Sequence, residues 1–319
     1  MNIKVALCFN INYNHILNKE DIWKKWIEPN NDIINVYFFY KDITLIKSPW
    51  IKSHAIPESC IQQTSYYHVV PAYIALMKHA LKNTHNEWFI FLTESCCPII
   101  SPKRFRHIFF NHYNNTIMSW KKCWWNIQFH TRANLKLLPE ELRLANDAWF
   151  ILSRQSVKIT LDFVQKQQKI TTLVLNGGLA NESFFAIVHK WYGYLNSTSN
   201  LVINHATHSA DWDRMASGTS PHLFSLASIT ENTLTKKRDL AFIEKSKKSP
   251  FVMFLRKVSP DYPDEILNKY IYDADKELDD KLQINYFKHY FTYYMKYINF
   301  NYIYWFLFLF YIYRFTVKK

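Results

Sequence analysis

Glu182 stands in the run Gly177-Gly178-Leu179-Ala180-Asn181-Glu182-Ser183-Phe184-Phe185, where two of the chain's four glycines are adjacent. A glycine pair marks a place where the backbone turns freely. Residues 183–191 then read as a helix with Phe184, Phe185, Ile187 and Val188 on one side. Glu182 is therefore expected at or just inside a helix start, where the N-terminal dipole favours its ionised form. A carboxylate held that way can act as a general base. It can also be a first-turn carboxylate with no chemistry, and this segment alone leaves both readings open.

Three other clusters have chemical potential. The apolar run at 88–92 enters Thr93-Glu94-Ser95; an Asp-x-Asp at such a strand end holds a divalent metal, whereas a single carboxylate is a poor Mg²⁺ or Mn²⁺ site. Asp211-Trp212-Asp213 does spell Asp-x-Asp, but late in the chain, where acceptor contact or a structural role competes with a metal role. Arg256-Lys257 can bind phosphate or form a solvated strand end. His205, His208 and His222 lack a spacing that would converge them as ligands, so no zinc site is expected. The five cysteines show no CxxC spacing and lie in apolar segments, which suggests buried thiols rather than a disulfide framework.

Alternating strands and helices must position these groups. Strands are expected at 3–9, 35–40, 88–92, 116–120 and 149–152, and helices at 19–27, 69–81, 102–111, 155–167 and 183–192. Pro71 falls in the first turn of its helix, where the missing N–H is harmless. The alternation predicts an α/β fold, a mainly parallel sheet covered on both faces, with ligands at the carboxyl ends of its strands. At 319 residues and 49% apolar composition the chain can bury a large core. The acidic stretch 261–280 reads as a solvated helical face. Residues 297–313 carry no charge and many aromatics, near the lower length limit for a membrane span. Membrane attachment there and an aromatic helix docked on the domain both remain open. The net charge of +13 favours an anionic partner, such as a phosphorylated ligand, nucleic acid or a membrane surface.

Seven blocks resemble, in order, the Core-2/I-branching β-1,6-N-acetylglucosaminyltransferase family, including its plant-type and viral members. Lys4-Val5-Ala6-Leu7 with Asp21-Ile22-Trp23 resembles the first strand and a Trp-bearing helix, and Asn35-Val36-Tyr37-Phe38-Phe39-Tyr40 the second strand. Phe91-Leu92-Thr93-Glu94-Ser95-Cys96-Cys97-Pro98 resembles the LSESCxPL block, and Ala148-Trp149-Phe150-Ile151-Leu152-Ser153-Arg154 the QWFxLxR block. Asn181-Glu182-Ser183-Phe184-Phe185 falls where the family carries Asp-Glu before an aromatic helix. Asp211-Trp212-Asp213-Arg214 with Ser220-Pro221-His222 resembles DWS…HP, and Phe254-Leu255-Arg256-Lys257-Val258 resembles FARKF.

The resemblance implies a single GT-A-like nucleotide-sugar-binding domain over residues 1–258, followed by an acidic helical linker at 259–285 and the aromatic segment at 286–319. It implies inverting transfer from a UDP-sugar, of N-acetylglucosamine or xylose, to a glycan or glycoprotein acceptor. No cofactor or divalent metal is required, and no nucleic acid is expected as partner. Glu182 carries over as the general base, with Asn181 in place of the usual Asp. The diphosphate contact carries over to Lys257, with Arg256 beside it. Asn10, Glu94 and Ser95 are expected at the donor pocket, with Glu94 facing the nucleotide or the acceptor or only fixing a loop. Trp212, Arg214 and Trp149 are expected at the acceptor, with Trp212 lining the acceptor side or buried in the core. A second family Arg has no clear match; Lys236, Lys237 and Arg238 are candidates. Arg154 is expected to be structural. Location at a membrane, Golgi, ER or viral, would depend on residues 297–313. A degenerate family member that only binds carbohydrate or nucleotide, and a basic membrane-associated interaction protein, are the alternatives.

Overall fold

A computed structural model describes residues 2–11, 14–196, 198–218, 220–230 and 233–273. The chain starts with β1 (Lys4–Asn10), in which five consecutive residues are buried. That pattern belongs to a strand covered on both faces. Parallel neighbours flank it, β2 (Ile34–Phe39) on one side and β3 (Asn86–Thr93) on the other. Shorter strands follow: β4 (Cys97–Pro98), β5 (Thr116–Ile117), β6 (Trp120–Lys122), β7 (Leu144–Asn146), β8 (Ile151–Ser153), β9 (Val202–Ile203), β10 (His208–Ala210) and β11 (Phe254–Arg256). The six-stranded central sheet has the order β2-β1-β3-β8-β5-β9, with β8 alone running antiparallel to its neighbours. A second sheet, β10-β11-β4, and the pair β6-β7 lie outside it.

The helices are α1 (Glu20–Ile27), α2 (Pro49–Ser53), α3 (Val70–Ala80), α4 (Pro102–His112), α5 (Arg154–Lys166), α6 (Gln168–Leu175), α7 (Phe184–Trp191), α8 (Leu226–Thr230), α9 (Thr233–Lys247) and α10 (Asp264–Asn268). They cover the two faces of the sheet in a way the two-residue period of β1 dictates. Val5, Leu7 and Phe9 join a core with Trp23 and Trp26 of α1, Phe105 and Phe109 of α4, and Phe254 of β11. Ala6 and Cys8 face the opposite core, built with Tyr73 and Leu76 of α3, Phe163 of α5 and Phe184 and Phe185 of α7. This mixed α/β architecture, a mainly parallel sheet flanked by helices, is consistent with the expected GT-A-like fold.

Several expectations change. The strand expected at 116–120 is two strands, because the chain leaves the central sheet after Ile117 and pairs with β7 from Trp120. The strand expected at 149–152 begins only at Ile151, leaving Trp149 in a connecting loop. The stretch from 261 is not a solvated face as far as it is described. Tyr262, Leu267, Tyr270 and Ile271 are buried in the α1 core, and Lys19, itself buried, donates to the Pro260 carbonyl at 2.8 Å and pairs with Asp264 at 2.8 Å. The compact unit runs to Asp273. The aromatic segment 297–313 lies outside the described residues, among which no helix is long and apolar enough to cross a membrane. The five cysteines are free thiols, three of them buried.

Candidate active site

The carboxyl ends of β1, β3 and β11 meet. Asn10 ends β1 directly opposite Thr93, the last residue of β3. The loop that follows is held from below by α1: the Trp23 indole donates to the Cys96 carbonyl at 3.0 Å and the Trp26 indole to the Ile100 carbonyl at 2.8 Å. Both indoles also pack on Phe254, so one helix fixes the Glu94–Ser95 loop and the start of β11 together.

Arg256 and Lys257 emerge at that strand end. Arg256 Nη1 donates to Thr93 Oγ1 at 2.7 Å and to Ser95 Oγ at 3.1 Å. Its guanidinium lies 3.7 Å from the centre of the Trp149 ring, a close cation–π contact. Its Nε is buried with no protein partner. Lys257 Nζ donates to Ser220 Oγ at 3.1 Å, and the next residue's amide donates to the Ser95 carbonyl at 2.9 Å. Burial, and then the neighbouring Arg256 charge, push the Lys257 ammonium below its ordinary pKa. Burial raises the Glu94 carboxyl, with Arg256 and Lys257 opposing. His208, buried and 6.2 Å from Trp149 ring to ring, is driven down to about 3 by burial and then by Arg256. It is therefore neutral, and two partly desolvated cations face one carboxylate. Such a place favours an added anion.

Glu182 is built by a different set of contacts. It closes a one-turn 3₁₀ segment, Ala180–Glu182, just before α7, rather than sitting inside the helix. Neither neighbouring glycine has the left-handed backbone; Leu179 takes it, at φ 55°. Gly177 is needed for a different reason. A Cβ there would fall 2.4 Å from the Asn134 amide nitrogen and 2.6 Å from Ala133 backbone atoms, because the two segments cross closely, the Ala133 amide donating to the Gly178 carbonyl at 2.9 Å. That crossing brings Arg132 to Glu182, Nη1 to Oε2 at 3.1 Å. Arg132 in turn stacks over Trp125 at 5.1 Å. On the other side, buried Asn146 of β7 donates to the Asn181 carbonyl at 2.8 Å and accepts from the Ala186 amide at 3.0 Å. Asn146 thus caps α7 from a distant strand, while the helix's own cap residue, Ser183, makes no such bond. Burial raises the Glu182 carboxyl above its ordinary range; Arg132 opposes the shift and Asp147 adds to it. Asp147 itself is lifted to about 6 by burial, against Lys121 and a Ser119 hydrogen bond.

The loop joining β7 to β8 connects the two clusters. Its first residue, Asp147, acts on Glu182, and its third, Trp149, lies under Arg256. The Tyr73 hydroxyl donates to the carbonyl of Ala148 between them at 3.2 Å and feels the charges of Arg256, Glu182 and Glu94. Glu182, Glu94, Ser95, Asn10, Arg256, Lys257 and Trp149 are therefore one neighbourhood at the strand ends. Trp149, expected as an acceptor contact, has one ring face covered by Arg256.

Other expected residues fall elsewhere. Arg214 is locked by Asp211 at 2.7 Å and by fully buried Asp239 at 2.7 Å, which also takes His222 at 2.9 Å and Ser228 at 2.8 Å. This network holds the Arg214 side chain between two carboxylates. It also occupies Asp211 of the Asp-x-Asp run. Trp212 is half exposed. Lys236, Lys237 and Arg238 are exposed along α9, whereas Lys247 at the end of the same helix is buried and donates to the Tyr270 carbonyl. Arg154 holds the carbonyls of Leu81, Asn83 and Asn86 at the end of α3 and beyond, the structural role expected of it. Among the described residues no group of three His, Cys, Asp or Glu side chains could hold a metal ion. The sequence reading missed Arg132, Asn146 and Asp147, which lie between the recognisable blocks. The glycine pair was a clue to a close backbone crossing but did not reveal the other segment.

The family model of the Core-2/I-branching enzyme matches residues 38–238, which include Glu94, Trp149 and Glu182. No curated protein matches the chain significantly.

Proposed function

The chain belongs to the Core-2/I-branching enzyme family, and from that premise we propose that it performs an inverting transfer from a UDP-sugar with Glu182 as the base. Membership makes it a glycosyltransferase that uses a nucleotide-sugar donor and a glycan acceptor. The observation that supports the finer reading is the short loop that has Asp147 beside Glu182 at one end and Trp149 beneath Arg256 at the other.

In this reading the diphosphate lies against Arg256 and Lys257, where two partly desolvated cations meet the charge that grows on the leaving UDP. They take the part a divalent metal plays in other transferases, so no metal is needed. Asn10, Glu94 and Ser95 border the donor. The acceptor hydroxyl approaches from the opposite face of the sugar and gives its proton to Glu182, and its oxygen attacks the anomeric carbon as the bond to UDP breaks. Burial raises the basicity of Glu182, and the Arg132 cation beside it opposes that shift. The transferred sugar is N-acetylglucosamine or xylose. Residues 297–313 attach the enzyme to a membrane, a point tested by vesicle flotation with and without residues 286–319.

The deciding experiment measures UDP release and acceptor transfer across a donor panel in EDTA, for the wild type and Glu182→Gln. The variant keeps shape and loses basicity, so transfer should fall roughly 10²- to 10⁴-fold with UDP affinity unchanged. Undiminished transfer by Glu182→Gln would remove the base from this site. UDP binding without turnover of any donor by the wild type would leave a binding protein built on the enzyme's fold.

A further inference from the structure

Two pairs of aromatic side chains flank the segment that delivers Glu182, and neither belongs to the donor site. On one side, Tyr66 and Tyr67 lie edge to face at 5.1 Å and are each more than half exposed. The Tyr67 carbonyl accepts from the Leu179 amide at 2.8 Å, three residues before the carboxylate. On the other side, Trp124 and Trp125 meet edge to face at 4.9 Å. Trp125 carries the guanidinium of Arg132, which bonds Glu182, and Trp124 is 61% exposed. Lys121 lies 4.2 Å over Trp124 without covering it. The segment at 177–179 is thus bonded to the tyrosine turn through Leu179 and to the arginine segment through Gly178. Exposed apolar side chains scattered singly are ordinary, but aromatics grouped around one segment mark a binding surface.

We propose that these two pairs form an extended acceptor subsite, where an oligosaccharide stacks the apolar faces of its sugar rings on Tyr66, Tyr67, Trp124 and Trp125 while its reactive hydroxyl reaches Glu182. The proposal rests on Glu182 being the base, because continuity with that carboxylate selects a glycan over other occupants. An aromatic ring offers apolar area to the C–H face of a sugar with little conformational entropy to lose, and polar edges for its hydroxyls. Arg132 supplies hydrogen-bond donors at the junction. A platform set away from the reacting carbon should act on acceptor affinity and leave the donor step alone.

The test compares binding of β-galactoside and N-acetylglucosaminide oligosaccharides of one to four sugars, by calorimetry in the presence of UDP, to the wild type, Trp124→Ala, Tyr66→Ala and the double variant. Both side chains are exposed, so the variants should fold; UDP affinity and donor hydrolysis check this and should not change. Wild-type affinity should rise with chain length, and each variant should lose about tenfold on the longest ligand, equivalent to ~1.4 kcal/mol, with little effect on the monosaccharide. Affinity independent of length, no oligosaccharide binding, or undiminished binding by the double variant would each overturn the proposal. So would sedimentation showing that the double variant only splits a dimer, or flotation showing that it only loses vesicle binding, since the patch then serves a second copy or a lipid surface. The base is scored separately by Glu182→Gln. If that variant still transfers while the platform variants lose long acceptors, the base assignment fails and the subsite stands.

Discussion

A single carboxylate between opposing charges makes a testable acid–base device. Arg132 lowers and Asp147 raises the proton affinity of Glu182. A base must be ionised to work, so the acid limb of the rate profile follows its pKa. Arg132→Ala removes the stabilising cation and should move that limb to higher pH, whereas Asp147→Asn removes a like charge and should move it lower. Profiles of kcat/KM for both variants decide the matter; shifts in the same direction would refute the arrangement. Asp147 also makes a stability statement of its own. Its folded pKa of about 6 lies above the ordinary aspartate value, so the folded state holds a proton that the unfolded chain releases. Stability from this group is complete below pH ~4 and is lost as pH rises through 6. Asp147→Asn should therefore gain on the order of 1–2 kcal/mol above pH 6 and nothing at pH 4, measured by urea unfolding at both values. For the cations, Lys257→Ala should reduce donor use roughly 10²-fold or more. Lys248→Ala, exposed beyond α9, should leave it unchanged. Lys247 cannot be that control, because it is buried against Tyr270.

At the scale of elements, the position of Glu182 depends on two features that make no contact with substrate. Gly177 permits the close crossing that carries Arg132, and Asn146 fastens the 3₁₀ turn to α7 from the far strand. Gly177→Ala forces backbone atoms apart at 2.4 Å and should cost about 2–3 kcal/mol. It should also erase part of the pH effect of Arg132, because the guanidinium moves with its segment. Asn146→Ala leaves two buried backbone groups without a partner and should cost about 1–3 kcal/mol. A fall in melting temperature with unaltered kcat in the surviving folded fraction would mean that these contacts do not set the base. These elements also separate what the sequence makes legible from what it hides. The run at 183–191 announced α7 through its apolar spacing, and a helix start near Glu182 followed. The glycine pair pointed to freedom of φ, but the structure uses it for proximity. Proximity involves Asn134 and Ala133, 43 and 44 positions before Gly177, so local pattern could not name them.

For the whole molecule, the same distinction decides where the domain ends. The long strands β1, β2 and β3 and helices α1, α3, α4, α5 and α7 are readable because each buries a full stripe of apolar side chains. The two- and three-residue strands β4, β9, β10 and β11 are not, since pairing across the fold rather than local periodicity creates them. The blocks on β1, β3 and β11 converge because parallel β1 and β3 place their carboxyl ends side by side, where Arg256 at the end of β11 meets them. The segment from 259 differs from its expectation for a related reason. Its acidic residues suggested solvent, yet Tyr262, Leu267, Tyr270 and Ile271 fill the core beneath α1. Asp264 ties that segment back to Lys19. A chain ended after residue 258 would expose the apolar surface these four residues cover and leave the Lys19 ammonium without its partners, a loss of many kcal/mol by apolar area alone. It should be recovered insoluble or melt without cooperativity. A chain ended after residue 273 keeps every described core residue and should melt in one transition with UDP affinity intact, read by calorimetry with and without UDP. Cooperative melting of the shorter chain would show that 259–273 is a linker after all.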